Sequence, residues 1–142
     1  MTELMQLGQR VLAAQAFSVL IGAELTAFGD GHAEIRIPIV DRLKQQNGFV
    51  HGGVLSYAAD NTLTFAGGSV LGAQVVTSEF KINYLRPALG EQLVARATVV
   101  HAGKSQAVCS CDIFAIDAQG ERLCATAQET ISRLGPGPTE EH

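Results

Sequence analysis

One carboxylate, Asp60, stands in the middle of a long segment that is otherwise almost wholly apolar. It is the only charged side chain between His51 and Glu79. Because an aspartate is rarely buried without a partner, the residue needs either a polar contact or a chemical role. Water, Asn61 or the Thr64 hydroxyl could supply the contact. Alternatively, a carboxylate held among apolar neighbours can act as a general base or a nucleophile.

A glycine-rich turn, NGFVHGG at residues 47–53, leads directly into the same segment. Adjacent glycines let the backbone approach a ligand closely, and the free N–H groups at a helix start can stabilise a developing negative charge. His51 lies at this start, where its ring can cap the helix, position another group or act as a general base. The turn and Asp60 together indicate a site built on one helix.

The segment that carries Asp60 is predicted to be a buried central helix over residues 53–66. It contains no proline, its apolar side chains cover nearly the whole circumference, and it stops at Gly67-Gly68, a common helix C-terminal signal. We predict an α+β fold in which an antiparallel sheet curls around this helix. The surrounding predicted elements are a helix over 3–15 capped by Thr2, a hairpin over 22–39, and strands over 74–86, 91–102, 106–117 and 122–134.

Composition and charge restrict the class of protein. The chain has 142 residues, enough for one domain, and 46% of them are hydrophobic, which excludes a disordered chain. A net charge of -4 without a basic run argues against nucleic acid as a partner. Only 17% of the residues are charged, which favours a surface that self-associates.

The N-terminal sequence and the cysteines bear on location and metal binding. The start, MTELMQLGQR, matches neither a secretory signal nor a membrane-spanning helix, so we expect a soluble cytoplasmic protein with no membrane partner. The three cysteines are an odd number, and no Cys/His set has zinc-ligand spacing. We therefore expect reduced thiols and no bound metal.

An HGG motif precedes an acidic residue that lies nine positions after the histidine, here His51-Gly52-Gly53 and Asp60. With QQNGFVHGG and SEFKINYLRPALGE, it makes the chain resemble the hotdog-fold acyl-CoA thioesterases, in the PaaI-like branch of the 4-hydroxybenzoyl-CoA thioesterase superfamily. The resemblance implies a hotdog domain over residues 17–134. The predicted N-terminal helix falls within 1–16, and the prolines and glycines of GPGPTEEH predict a disordered tail over 135–142. The resemblance also implies an acyl-CoA substrate, with no cofactor other than the coenzyme A of that substrate.

The resemblance assigns roles around the helix start. It implies that Asp60 is the catalytic carboxylate and that the Gly52 N–H polarises the thioester carbonyl. Gln45, six residues before His51, takes the place of an amide that positions water or substrate, and Asn47 competes for that role.

Further contacts are implied on both sides of the motif. Thr64, one turn after Asp60, and Ser78, on the following strand, match alternative positions for a hydroxyl that orients the attacking water. Alternation predicts that Ser78 shares a strand face with Phe80 and that Thr77 lies on the other face. The turn at residues 102–105 fits an ordinary hairpin with a solvated lysine as well as it fits the contact with the coenzyme A phosphates that the resemblance implies. The remaining substrate contacts are assigned to His51, Gly53, Lys104, Ser105 and Arg86.

Gly52 and Asp60 are too far apart on one helix to meet at one carbonyl. They are eight positions apart, and a rise of about 1.5 Å per residue gives roughly 12 Å. Two antiparallel copies of the helix around a two-fold axis would bring Gly52 of one chain beside Asp60 of the other. We therefore predict a homodimer, and the resemblance adds a pairing of dimers into a homotetramer.

Three functions are compatible with these residues. The favoured one is hydrolysis of an acyl-CoA thioester, with Asp60 activating water or attacking to form a mixed anhydride. A hotdog hydratase or dehydratase would pair a histidine with a carboxylate in motifs that the sequence lacks. A non-catalytic acyl-thioester binding module would not require Asp60. Aryl and medium aliphatic acyl groups both stay open, since the candidate pocket residues are Phe17, Leu20, Phe49, Tyr57, Leu63 and Phe80.

Overall fold

Six antiparallel strands form one sheet that packs against a long helix in the computed structural model, which describes residues 2–135. Two helices and a hairpin precede the long helix, and four strands follow it. This confirms the predicted α+β class and the antiparallel sheet around a central helix. The elements are α1 (Glu3–Ala14), α2 (Ala16–Ile21), β1 (Glu24–Gly29), β2 (His32–Pro38), α3 (Gly52–Leu71), β3 (Val75–Tyr84), β4 (Gln92–Ala102), β5 (Gln106–Asp117) and β6 (Gly120–Arg133).

The sheet order is β1-β2-β4-β5-β6-β3, so β3, which directly follows α3, forms an edge beside β6. The strands alternate between a face packed on α3 and an outer face, as the period of two in their sequences predicts. Small side chains on the inner side of α3 let the sheet approach closely. The fully buried residues include Ala58, Ala59, Leu63 and Ala66 of α3 and Ile35, Ile37, Ile113 and Ile131 of the sheet.

The long helix extends beyond its predicted end. The prediction of residues 53–66 is wrong on the C-terminal side, because α3 continues through Gly67 and Gly68 to Leu71. A Cβ at Gly67 would lie only 2.7 Å from Cγ1 of Ile131. Gly67 therefore serves the close approach of α3 to β6 rather than helix termination. The helix ends at Gly72, whose φ of 102° suits glycine.

One face of α3 is not covered by the described residues. Asp60 is exposed, and Ser56, Tyr57, Asn61 and Thr64 are only partly buried. The prediction of a helix buried almost all round is therefore wrong for a single chain. The open face lies toward β3, whose outer edge has no neighbouring strand in the described sheet.

The N-terminal region begins as predicted. Thr2 caps α1, because its Oγ1 accepts a hydrogen bond from the Met5 N–H over 3.0 Å. The predicted domain start at residue 17 falls inside α2, and the predicted tail begins at Gly135, with 136–142 outside the described residues. Over residues 2–135, no helix combines the length and hydropathy needed to cross a bilayer.

Candidate active site

The loop before α3 is held by its own side chains. Gln45 Oε1 accepts a hydrogen bond from the Asn47 N–H, and the Gln45 N–H donates to Phe49 O over 2.9 Å. At the helix start, His51 Nδ1 accepts from the Gly53 N–H over 2.8 Å. The His51 side chain therefore caps α3 through Nδ1. The Gln45 side chain is turned toward the loop itself.

Gly52, the first residue of α3, presents a free backbone donor. Its N–H has no acceptor among residues 2–135, as expected in the first helical turn. Its carbonyl accepts from the Tyr84 hydroxyl over 3.2 Å, and that hydroxyl also contacts Ser56 Oγ at 2.5 Å. The helix N-terminus adds a partial positive charge here. This position can therefore stabilise a developing oxyanion.

A pocket of about 370 Å³ opens beside this helix start. Arg86, one of the predicted substrate contacts, forms part of its wall. The backbone N–H groups of Leu85 and Arg86 both donate to Cys124 O, which fixes the end of β3 at this pocket. The other lining residues are Phe49, Val50, Gly52, Leu55, Tyr84, Pro87 and Ala88.

Asp60 lies about two turns further along α3, and its carboxylate is exposed. Thr77 Oγ1 donates a hydrogen bond to Asp60 Oδ1 over 3.0 Å. Thr64 lies one turn later and donates from Oγ1 to the main-chain oxygen of Asp60 over 2.8 Å. The structure thus places Thr64 beside Asp60 and adds Thr77, which the strand pattern assigned to the opposite face.

Ser78 does not reach the Asp60 carboxylate. Its hydroxyl hydrogen-bonds Ser132 Oγ, and its side chain is exposed. The pairing of β3 with β6 shifts between Thr77 and Glu79, so that Ser78 forms a β-bulge. The extra residue changes the phase of the strand and turns Thr77 inward. The strict alternation predicted for this strand is therefore wrong at the bulge.

Glu129 is a buried acid beside this cluster that the sequence analysis missed. Its side chain is 1% exposed, and its Oε1 lies 2.9 Å from Thr77 Oγ1 and 3.1 Å from Thr64 Oγ1, the two hydroxyls that also contact Asp60. The pKa of Glu129 is raised to about 9. The largest cause is burial, followed by a hydrogen bond with Asp60 and by the negative charge of Asp60. The two threonine hydroxyls act in the opposite direction. Glu129 is therefore protonated at neutral pH.

The sequence of β6 contains a signal for Glu129. Ala125, Ala127 and Ile131 are buried at every second position, and Glu129 falls in the same series. An acidic residue on the inward face of a strand is as unusual as one in an apolar helix. The reasoning applied to Asp60 would therefore have found it.

Lys104 and Ser105 lie near the opposite end of α3 from Gly52. Ser105 O accepts from the Arg133 N–H over 2.8 Å, and Arg133 Nε donates to Leu71 O over 3.0 Å. One chain therefore divides the predicted residues into three groups along the helix. Near the N-terminus are Gln45, Asn47, His51, Gly52, Gly53 and Arg86; in the middle are Asp60 and Thr64; toward the C-terminus are Ser78, Lys104 and Ser105.

An apolar groove of about 400 Å³ runs between α1 and α3 and reaches Thr64. Leu4, Leu7 and Val11 of α1 line it and are between 38% and 44% exposed. None of the six residues predicted for an acyl pocket lines this groove. Its other lining residues are Gly8, Gln15, Phe28, Asn61, Phe65, Gly68, Ser69, Gly72, Ala73 and Val75.

An antiparallel sheet curled around one long helix is the hotdog fold. The comparison with protein families agrees, because the model described as thioesterase superfamily matches residues 47–124. The chain belongs to the thioesterase superfamily. This membership supports hydrolysis of thioesters in general.

Solved structures and curated proteins are similar over most of the chain. A thioesterase family protein from Silicibacter pomeroyi has a TM-score of 0.88 and 32% identity, covering 94% of this chain and 99% of that one. A Haemophilus influenzae thioesterase has a TM-score of 0.80 and 29% identity, covering 100% and 95%. A curated protein from Haemophilus influenzae, provisionally named an esterase, is 32% identical over 114 residues, 79% of this chain and 80% of its own.

The PaaI protein of E. coli, from the phenylacetic acid degradation operon, shares the fold. Its TM-score is 0.81 at 24% identity, covering 93% of this chain and 94% of that one. The hotdog fold that the resemblance implied is therefore confirmed.

Proposed function

We propose that the protein hydrolyses acyl-CoA thioesters, with Asp60 as the general base or the nucleophile. The observation that carries this proposal is the Asp60 carboxylate, which is exposed on the open face of α3 and fixed by Thr77. A carboxylate that is both oriented and accessible can take a proton from water or attack a carbonyl itself.

The two routes differ in the bond that Asp60 makes. As a base, Asp60 takes one proton from water while the water oxygen bonds to the thioester carbon. The resulting oxyanion then collapses, the carbon–sulfur bond breaks, and the coenzyme A thiolate takes the proton that Asp60 had accepted, which restores the carboxylate. As a nucleophile, an Asp60 oxygen displaces the thiolate and forms a mixed anhydride, which water then hydrolyses to the acid and free Asp60.

The oxyanion donor in this proposal is the Gly52 N–H of a second chain. The two residues lie roughly 12 Å apart along α3 of one chain, which is too far for both to act on one carbonyl. The uncovered face of α3 favours a two-fold pairing in which the helices run antiparallel. Each dimer would then have two sites, and a further pairing of dimers would leave them intact.

The same pairing gives the substrate contacts a consistent arrangement. An antiparallel partner brings the N-terminal end of its helix toward the C-terminal end of α3. Arg86 of one chain would then lie on the same side of the site as Lys104 and Ser105 of the other. The cations Arg86 and Lys104 suit the phosphates of coenzyme A. The groove between α1 and α3 suits the acyl group because its wall is apolar.

Other residues of the loop would help to form the site rather than react. Gln45, Asn47 and Gly53 would keep the loop and helix start in the shape that presents the Gly52 N–H. The proposed reaction uses water and the groups of the chain, with no metal and no cofactor beyond the coenzyme A of the substrate.

A thiol-release assay over a panel of aryl-CoA and aliphatic acyl-CoA substrates tests this function. We expect wild-type turnover of at least one acyl class and a loss of at least about two orders of magnitude in Asp60→Asn. Asp112→Asn, an exposed aspartate on β5, is the matched control. Binding without thiol release would indicate a non-catalytic module, and hydration of an enoyl substrate would indicate a hydratase.

A further inference from the structure

Glu129 is the one buried carboxyl group among residues 2–135, and the proposed reaction leaves it without a role. The hydroxyls of Thr64 and Thr77 both lie within hydrogen-bond distance of its Oε1. Its Oε2 is also buried, and no donor within residues 2–135 reaches that atom. A carboxylate oxygen would be left unsatisfied there, whereas a carboxyl oxygen that carries a proton is itself a donor.

The Asp60 side chain lies beside Glu129, and a side-chain hydrogen bond between the two acids is one cause of the raised pKa of Glu129. Thr77 Oγ1 lies 3.0 Å from Asp60 Oδ1 and 2.9 Å from Glu129 Oε1, so one hydroxyl bridges the two carboxyl groups. The single proton of Thr77 can serve only one of these oxygens at a time. Two adjacent carboxylates repel each other, and a shared proton removes both the repulsion and the unsatisfied oxygen.

We propose that Glu129 is a positioning residue that stays neutral during turnover and donates a hydrogen bond that holds the Asp60 carboxylate in its reactive orientation. This inference rests on the proposed function, because it assigns a partner to the group that does the chemistry. With Glu129 and Thr77 holding Asp60 from the protein side, the remaining lone pairs of Asp60 face the open site.

The surroundings of Glu129 favour the proton on this residue rather than on Asp60. Glu129 is buried, whereas Asp60 is exposed to water, which stabilises its charge. On β5 the residues facing Glu129 are thiols, Cys109 and Cys111. Burial raises the pKa of Cys109 to about 11 and that of Cys111 to about 12, so both stay neutral where Glu129 titrates. No Lys, Arg or His in residues 2–135 forms an ion pair with Glu129.

Loss of this proton has a defined consequence for hydrolysis. An ionised Glu129 can no longer donate to Asp60, and it places a second negative charge beside a site where an oxyanion must form. Activity should therefore fall on the alkaline side as Glu129 ionises, near pH 9. Glutamine at this position keeps an N–H donor and does not titrate.

Two measurements on the full chain test the proposal. The first is a carbon NMR titration of glutamate labelled at the side-chain carboxyl, in the wild type, in Glu129→Gln and in Asp60→Asn. We expect one glutamate that titrates near pH 9 in the wild type and is absent from Glu129→Gln. In Asp60→Asn it should titrate at lower pH, because the neighbouring charge is gone. A Glu129 signal with an ordinary pKa of about 4.3 overturns the proposal.

The second measurement is the pH profile of kcat/KM. We expect an alkaline limb near pH 9 in the wild type and its absence in Glu129→Gln, with neutral-pH activity within about threefold of wild type. Glu129→Leu, which cannot donate, should lose roughly tenfold or more. The control is Glu79→Gln, an exposed glutamate on β3, which should keep the limb. An unchanged limb in Glu129→Gln overturns the proposal.

The outcomes separate this inference from the proposed function. Absence of thioester turnover in the wild type, or full turnover in Asp60→Asn, contradicts the proposed function while the NMR titration still reports on the carboxyl pair. If Glu129→Gln fails to fold, the titration of wild type against Asp60→Asn decides the question, since neither protein alters Glu129.

Discussion

Thr77 donates a hydrogen bond to the carboxylate of Asp60 over 3.0 Å, although the two residues lie 17 positions apart in the sequence. The contact joins the edge strand β3 to the exposed face of α3. It depends on the bulge at Ser78, which turns Thr77 inward. The orientation of the proposed catalytic group is therefore set by an irregularity in a strand.

Replacement of Thr77 should damage turnover more than replacement of Ser78. Thr77→Val keeps the shape but removes the donor, so we expect kcat to fall by about tenfold, as for one lost hydrogen bond to a charged group. Ser78→Ala removes a hydroxyl that contacts Ser132 instead, and its loss of kcat should be smaller. Steady-state thiol release with folding checked by circular dichroism measures both. A larger loss in Ser78→Ala would contradict the assignment to Thr77.

Mixing two inactive variants should restore activity if the site is shared between chains. Asp60→Ala lacks the carboxylate, and Gly52→Pro lacks the proposed oxyanion N–H. After random exchange of equal amounts, half of the dimers are hybrids with one intact site, so thiol release should approach roughly a quarter of the wild-type value.

Two controls are needed for the mixing experiment. Gly52→Pro must be shown to fold, because proline also restricts φ at the helix start. Subunit exchange must be demonstrated directly, for example by mass spectrometry of tagged chains. Exchange without regained activity would mean that Gly52 and Asp60 do not cooperate across the interface.

A bulky residue in the α1 wall should change acyl-chain preference. In Val11→Trp the larger side chain fills part of the groove of about 400 Å³. The value of kcat/KM for the longest accepted acyl group should therefore fall by about tenfold or more. Short acyl groups, which do not fill the groove, should be affected less. Val100→Trp on β4 is the matched control, because Val100 is exposed and does not line the groove. Equal losses for all chain lengths would indicate that the acyl group binds elsewhere.

The paired glycines of α3 should differ sharply in their tolerance of alanine. A Cβ at Gly67 would lie 2.7 Å from Ile131, whereas at Gly68 the nearest atom, from Val75, is 3.8 Å away. Gly67→Ala should destabilise the fold by about 1–3 kcal/mol through overpacking. Gly68→Ala should stabilise it by about 0.5–1 kcal/mol, because alanine favours a helix. Urea unfolding measures both, and equal effects would contradict the packing role of Gly67.

Burial of Glu129 should make the stability of the protein depend on pH. The folded chain keeps the Glu129 proton up to about pH 9, whereas an unfolded glutamate loses it at about 4.3. The folded state therefore holds the extra proton between these values, and this contribution to stability declines as pH rises through the window. Glu129→Gln should lack that decline. The melting temperature of the variant minus that of the wild type should therefore increase from about pH 5 to pH 9. Parallel curves for the two proteins would contradict a buried neutral acid.

The sequence alone determined the helix, the strands and the candidate catalytic carboxylate. Local patterns were sufficient for these features: the apolar run around Asp60 predicts a central helix, and the segment over 22–39 predicts a hairpin. The spacing from His51 to Asp60 also identified the family. Such patterns involve residues that are close in the sequence, so they can be recognised without knowing which other elements pack against these residues.

Only the tertiary structure decided which side chains meet. The bulge at Ser78, the neutral partner Glu129 and the groove lined by Val11 each depend on contacts between elements distant in sequence. In the sequence Gly67 resembles a helix C-terminal signal, but in the structure it is a packing contact, because Ile131 lies against it. The face to which Thr77 points, the approach of α3 to β6 and the contact between Asp60 and Glu129 all depend on distances between segments far apart in the sequence. The periodicity of the sequence does not contain these distances.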